Sequence, residues 1–346
     1  MIAENGLSRY PPPVPKTTRL SALQAVLRAQ RVPALLVTDP LNIRYLTGMK
    51  ATEALLLVRA GGSTLIVDGR YKEVASRLRS PKLRVADRSA TEKLFSNVRR
   101  CGFEAHHVTV ERLTRWKRLF KNTKFIQTSS LVEGLRRKKD AHEIAVMNRA
   151  RAITDAVLRT VPSMLVPGVS EKDVAHRILS AMLERGAEGL AFEAIVAFGP
   201  NSSLPHHRAG SRTLRRRDIV QIDVGAKVDG YCADRSEVYF VGEPTAAQRR
   251  AYDAVLAAKR AAEKAIAAGA KCSDIDAVAR GLLEKNGYPP FPHALGHGVG
   301  LDVHEGVVLA ARSKDSLLEG EVVAIEPGVY FEGKFGIRLE DTVVVK

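Results

Sequence analysis

Short apolar runs alternate with stretches of helical spacing along the first part of the chain. ALLVT (34–38), ALLLV (54–58) and STLIV (63–67) have the length and branching of buried strands. Apolar positions at helical intervals mark 20–29, 70–79 and 90–100, the last two with a basic face. This alternation predicts an α/β domain that closes near Leu131. Beyond it, Ile144, Met147, Ala150, Ile153, Val157 and Leu158 give helical spacing within 136–161. Pro162 and then Pro167-Gly168 are expected to stop that helix. Ser170, with Asp173 three residues on, opens the next as a capping box. Two more helices are predicted over 246–268 and 273–286. Strands are predicted over 193–198, 218–224, 231–241, 320–326 and 336–345.

Length and charge sharpen this picture. A chain of 346 residues suits two domains, placed here at 1–135 and 136–346. No apolar run approaches the roughly 18–20 residues of a membrane helix, and the start has no signal-peptide core, so no membrane association is expected. The stretch 9–18, RYPPPVPKTT, is proline-rich. Cys101, Cys232 and Cys272 form no CxxC pair, which suits buried thiols in a reducing cytoplasm. The net charge of +16 is one-sided: residues 1–140 hold 28 Lys and Arg against 11 Asp and Glu, while 141–346 hold 26 against 27. The run LTRWKRLFKNTK (113–124) mixes Trp116 and Phe120 with basic residues. It reads first as a surface helix with a solvated basic face, and second as a nucleic-acid contact.

The chemistry concentrates in the second domain. In DIVQIDVGAKVDGYCADRSEVYF (218–240), Asp229-Gly230 sits between two β-rich runs and predicts a two-residue hairpin loop. Such a hairpin pairs positions whose numbers sum to an odd value, as 223 and 234 do, so Asp223 and Asp234 share a face, opposite or diagonal. Two carboxylates on an apolar strand need a cation to be buried. PHALGHGVGLDVHE (292–305) adds His293, His297 and His304 among glycines that clear space around the middle imidazole. Glu326 ends an apolar strand in AIEPGVY, and Glu340 follows Arg338 in GIRLEDTVVV. Four carboxylates and an imidazole, without thiolates, suit two divalent ions better than a structural zinc.

In this order and these local contexts, Asp223, Asp234, His297, Glu326 and Glu340 resemble the dinuclear site of the pita-bread metallopeptidases, which include methionine aminopeptidase, aminopeptidase P and prolidase. DPLNIRYLTG (39–48) resembles the creatinase-like N-terminal domain of the Xaa-Pro branch, and GPNSSLPHH (199–207) its histidine loop. The resemblance implies an α/β (α+β) chain with a creatinase-like N-terminal domain and a pita-bread catalytic domain. It implies two ions, Mn²⁺ first with Co²⁺ or Zn²⁺ as alternatives. Asp223 would chelate one ion, Asp234 and Glu340 would bridge, and His297 and Glu326 would complete the second site. His206, His293 and His304 would surround the scissile bond, with Glu326 as general base. Arg338 would orient a ligand carboxylate, and Ser236 would keep a hydroxyl beside the ions.

By the same resemblance a metal-bridging hydroxide attacks the carbonyl before proline in a peptide substrate, in a homodimeric cytoplasmic enzyme. Aminopeptidase P-like cleavage is the leading expectation and prolidase activity on dipeptides the alternative. A creatinase-like amidinohydrolase and a non-catalytic nucleic-acid or protein-binding member of the fold stand behind them. The chain departs from the family in having Ser236-Glu237 where Thr-Arg is frequent, and in Phe198, expected to narrow a pocket wall. His207 is expected to face solvent.

Overall fold

The structure, a computed structural model, describes residues 15–346, so positions 9–14 of the proline-rich stretch lie outside the described residues. The described residues up to Arg136 form one compact unit and Arg137–Lys346 a second.

The first unit is built on one mixed sheet: β1 (Ala34–Val37), β2 (Leu55–Arg59), β3 (Gly62–Val67), β4 (Leu83–Asp87), β5 (Arg100–Glu104) and β6 (Lys124–Thr128). Its order is β4-β3-β2-β1-β5-β6, antiparallel at β1–β2 and β2–β3 and parallel elsewhere. The apolar runs predicted as strands are its central members, buried along their length as strands covered on both faces must be. The expected helices at 70–79 and 90–100 shrink to Lys72–Ser76 and Thr91–Phe95, and Arg100 already belongs to β5. The basic run folds as the helix Val110–Leu119, capped by Thr109. Trp116 and Phe120 turn inward, where Phe120 stacks on Phe95 at 4.2 Å.

In the second unit, Ala141–Leu158 begins with a capping box between Asp140 and Glu143. Pro162 does not simply end it: it occupies the first turn of a short helix, Val161–Met164, where a missing N–H costs nothing. Ser170 and Asp173 form the predicted capping box at the head of Glu171–Glu184. Helices Ala246–Lys264 and Cys272–Lys285 pack through small residues, Ala251, Ala258 and Ala279, over Val323, Ile325, Ile337 and Leu339.

Ile219–Val224 lies between Ile195–Phe198 and Arg235–Phe240, antiparallel to both. The Asp229-Gly230 turn sets Val228 opposite Tyr231 and Ser236 opposite Asp223, so Asp223 and Asp234 are diagonal neighbours. Two predicted strands are each broken in the middle. The run 231–241 splits into Tyr231–Cys232 and Arg235–Phe240, and 336–345 into Phe335–Arg338 and Asp341–Val344. Asp234 and Glu340 occupy those breaks.

Buried Gln221 ties the central strand to Phe335–Arg338. Its Oε1 accepts from Arg338 N at 2.7 Å and its Nε2 donates to the Arg338 carbonyl at 3.1 Å. Replacing this amide with a thioether of similar size strands two buried backbone groups. Gln221→Met is expected to lower unfolding stability by about 2–3 kcal/mol, read as a lower urea midpoint at unchanged slope; an unchanged midpoint would show the link to be dispensable.

Candidate metal centre

Five side chains from separate elements reach one cavity of about 280 Å³. Asp223 projects from the central strand, and Asp234 from the break before Arg235–Phe240. His297 sits between two glycines because its backbone is pinched on both sides. A Cβ on Gly296 would run into the Ala324 carbonyl, and one on Gly298 into that of Glu305. Glu326 follows the strand Val322–Ile325, its N–H held by the Leu295 carbonyl at 2.8 Å. Glu340 is set by its own N–H on the Ser236 carbonyl at 3.1 Å. Donor atoms of Asp234, His297 and Glu340 all lie within 4.8 Å of one another. His297 Nε2 is 3.6 Å from Asp234 and 3.7 Å from Glu326.

This arrangement is electrostatically unfavourable as it stands. Burial, followed by Glu340, Asp223 and Glu326, pushes the Asp234 carboxyl well above its ordinary range. Glu340 is raised in the same way, by burial and then by Asp223 and Glu326. Burial raises Asp223 as well, against the pull of Arg338, and pushes Glu326 up to about 8. Burial and then His304 bring His297 down to about 4, which keeps its imidazole neutral. Its Nδ1–H donates to the Gly298 carbonyl at 3.2 Å, so the lone pair on Nε2 faces the carboxylates. Asp223 Oδ1 is buried with no hydrogen-bond partner. An orphaned carboxylate oxygen, crowded acids and a neutral imidazole aimed at them fit a divalent cation site.

Arg338 is the buried cation of this cluster. Its Nη2 donates to Asp223 Oδ2 at 2.6 Å and its Nε to Ser236 Oγ at 3.1 Å. Its Nη1 reaches the Pro205 carbonyl at 3.0 Å and the Tyr330 hydroxyl at 3.3 Å. Ser236 in turn donates to Glu340 Oε2 at 2.9 Å. His206 and His304 line the cavity, and the His304 ring meets His297 edge-on at 4.2 Å. His293 does not line it. Its Nδ1–H donates to the Ala294 carbonyl, and its Nε2 accepts from Tyr330 at 2.8 Å, so it stands behind Arg338.

Two expectations are corrected. His207 is not solvated: its side chain is 13% exposed, and Nε2 donates to Glu171 Oε2 at 2.8 Å. Phe198 does not narrow the cavity. Ile195, an odd number of residues away along the strand, lines it, so Phe198 faces the other way into the core. Glu237, where the family frequently has arginine, accepts from Arg235 at 2.6 Å.

Glu171, Tyr330 and Gln221 were not singled out in the sequence. Buried Glu171 looked like an ordinary acid in the first turn of a helix. It accepts from Phe198 N, Asn201 Nδ2, His207 and Gly210 N, and so clamps both ends of the histidine loop. Tyr330 did carry a signal, a phenol inside the AIEPGVY motif.

The fold and the cavity define a class, the two-domain peptidases with a carboxylate-rich cavity in the second domain. A Creatinase/Prolidase N-terminal domain profile matches residues 19–138, and the profile of metallopeptidase family M24 matches 145–346. The chain belongs to metallopeptidase family M24. It is 30% identical over 336 residues to the uncharacterized peptidase YqhT of Bacillus subtilis, covering 94% of this chain and 95% of that one. Among solved structures it is similar to a Xaa-Pro dipeptidase from Bacillus anthracis, with TM-score 0.92, 31% identity, and 96% and 95% of the two chains covered. A prolidase from Pyrococcus furiosus gives TM-score 0.88 at 29% identity, covering 93% and 96%. An X-Pro aminopeptidase from Thermotoga maritima gives 0.85 at 32%, covering 93% and 95%. The expected fold class holds: a creatinase-like N-terminal domain and a pita-bread domain. Among the described residues no helix is long and apolar enough to cross a membrane.

The crowded acids make a signed prediction. Their folded pKa values are raised, so in chelator the unfolded chain ionises first, near the ordinary 3.8 and 4.5, while the folded site holds its protons, Glu326 to about 8. Stability of the chelated protein therefore falls as pH rises from about 4 to about 8. A divalent ion at about a hundred times its Kd should add about 2.7 kcal/mol at neutral pH. Asp234→Asn should flatten the pH slope and abolish the gain; a full metal-induced rise in Tm in this variant would refute the site.

Glu171 carries the opposite sign. Burial opposes its charge, but its hydrogen bonds from His207, Phe198, Asn201 and Gly210 win and lower its pKa below 4.5. Its contribution is full at neutral pH and disappears as acid titrates it through the lowered folded value. Glu171→Gln should cost about 1–3 kcal/mol at neutral pH and shrink the acid-induced loss of stability, with metal uptake retained. Loss of metal uptake in a folded variant would mean that the clamp also shapes the floor.

Proposed function

We propose that this chain is a metal-dependent Xaa-Pro dipeptidase of the prolidase type. The sequence favours aminopeptidase P first, but the Xaa-Pro dipeptidase and the prolidase among the similar structures support the alternative. The observation that carries the proposal is the cavity. At about 280 Å³ it lies just below the usual range of about 300–1,000 Å³ for small-molecule pockets, a size for a dipeptide.

Asp223, Asp234, His297, Glu326 and Glu340 would hold two divalent ions. Oxygen donors with one imidazole fit Mn²⁺, and Co²⁺ or Zn²⁺ are also suited. When bound, the ions would supply Lewis acidity toward a peptide carbonyl and toward water. Glu326, the least buried of the four acids, would accept a proton at its carboxylate. His304, at the rim beside His297, would donate to the carbonyl oxygen as it gains charge. His206 would serve the departing proline nitrogen, since His293 is engaged by Tyr330 away from the cavity. A homodimer in the cytoplasm accords with this reading, and the three free, buried cysteines suit such a compartment.

A dipeptidase must also accept the free carboxylate of its C-terminal proline. Arg338 is saturated by Asp223, Ser236, Pro205 and Tyr330. Arg208 at the rim is different: its guanidinium is exposed, and among the described residues its ion-pair partner is Glu193, at 3.7 Å. We assign it the proline carboxylate.

Purified protein loaded with Mn²⁺ should hydrolyse Ala-Pro with a higher kcat/KM than Ala-Pro-Ala. The reverse order would restore the aminopeptidase reading. Arg208→Met should raise KM for Ala-Pro about tenfold and leave Ala-Pro-amide unchanged; equal effects on both would remove Arg208 from substrate recognition.

A further inference from the structure

The charge excess of the chain has no part in the cavity, and the structure gathers much of it in one place. Arg100 and Lys124 are partners in the β5–β6 register, and the Lys124 N–H donates to the Arg99 carbonyl at 2.8 Å. The chain leaving helix Val110–Leu119 folds back on the same end of the sheet. There Thr123 Oγ1 donates to the Val98 carbonyl at 2.6 Å, and Thr123 N to that of Phe120 at 2.9 Å. Lys117 and Arg118 from the last helical turn, with Lys121 from the turn after it, therefore share the end of the sheet with Arg99, Arg100 and Lys124. All six are exposed, and none forms an ion pair among the described residues.

Like charges held this close repel at low ionic strength, and a patch of one sign focuses a field on a partner of the other. A second copy of the chain is a poor partner, since residues 141–346 are balanced at 26 basic against 27 acidic side chains. A lipid surface is also disfavoured, because the helix buries Trp116 and keeps its exposed apolar residues, Val110 and Leu119, at opposite ends with no continuous apolar face to insert. A chain of regularly spaced phosphates is complementary to six exposed cations held by one framework. We propose that the face formed by Arg99, Arg100, Lys117, Arg118, Lys121 and Lys124 binds the phosphate backbone of a nucleic acid. Trp116 and Phe120 are packed inside, so no ring is offered to bases and the contact is indifferent to sequence.

The test uses the full chain and a fluorescein-labelled oligouridine RNA of about 20 nucleotides, read by anisotropy across a salt series. Six phosphate contacts on a single strand predict a slope of log K against log salt near −4, or roughly a 250-fold loss of affinity between about 50 and 200 mM salt. Combining Lys117→Glu, Arg118→Glu, Lys121→Glu and Lys124→Glu should abolish binding while the far-ultraviolet circular dichroism stays native. If that variant does not fold, single Lys→Gln changes at 117, 121 and 124 should each reduce the slope by about 0.7. The proposal is overturned by absent or salt-independent binding at low salt, or by a folded quadruple variant that binds as wild type. Tighter association with phosphatidylserine vesicles than with RNA would also overturn it, in favour of a membrane.

Discussion

The second unit is organised around a repulsion. Asp223, Asp234 and Glu340 are buried together, Glu326 faces them, and the one guanidinium among them, Arg338, is held chiefly by Asp223. No fold places acids this way for its own stability, because each removes water from the next and raises the cost of its charge. The arrangement survives because the surrounding backbone over-determines it. Gln221 fixes the Arg338 main chain, glycines on either side of His297 let neighbouring carbonyls close in, and Glu340 is anchored through its own N–H to Ser236. Local conflict maintained by a rigid frame marks a place built for something other than stability, in this case for cations.

Arg338 also connects parts of the site that are far apart in sequence. The same guanidinium that neutralises Asp223 donates to the Pro205 carbonyl, one residue before His206, and to Tyr330, which holds His293. Glu171 clamps the histidine loop from the other side through Phe198, Asn201, His207 and Gly210. His206 is thus positioned between a buried cation and a buried anion. Loss of the Arg338 guanidinium would disturb the acid floor and the histidine rim together, whereas Glu171 acts on the rim alone.

What was legible in the sequence follows from the range of the interactions involved. The Asp229-Gly230 turn is local, and it fixed the parity that brings Asp223 and Asp234 to one face as diagonal neighbours. The Ser170–Asp173 capping box is equally local. The breaks in 231–241 and 336–345 were not visible, because a β-rich run looks continuous until tertiary packing turns Asp234 and Glu340 out of register. Strands β4 and β6 escaped notice because they are sheet edges whose exposed positions interrupt the apolar pattern, and interior β5 because Arg100, Gly102 and Glu104 break up its apolar run. His207 was misjudged because its partner, Glu171, lies 36 residues away, and nothing local distinguishes a clamped imidazole from a solvated one.

The floor and rim of the cavity answer to different constraints. The similar structures include a Xaa-Pro dipeptidase, a prolidase and an X-Pro aminopeptidase, so one fold serves peptidases of different specificity. Discrimination among their substrates must come from groups that meet the far end of the peptide, the part proposed above for Arg208, which lines the cavity with Phe192 and Glu193. Arg208 lies between two points that Glu171 holds, the His207 imidazole and the Gly210 N–H, so its backbone is fixed while its side chain is exposed. That separation lets the rim residue change without disturbing the acids below it. The chemistry of the floor is therefore constrained by burial, whereas the proposed contact with the end of the substrate rests on the exposed rim.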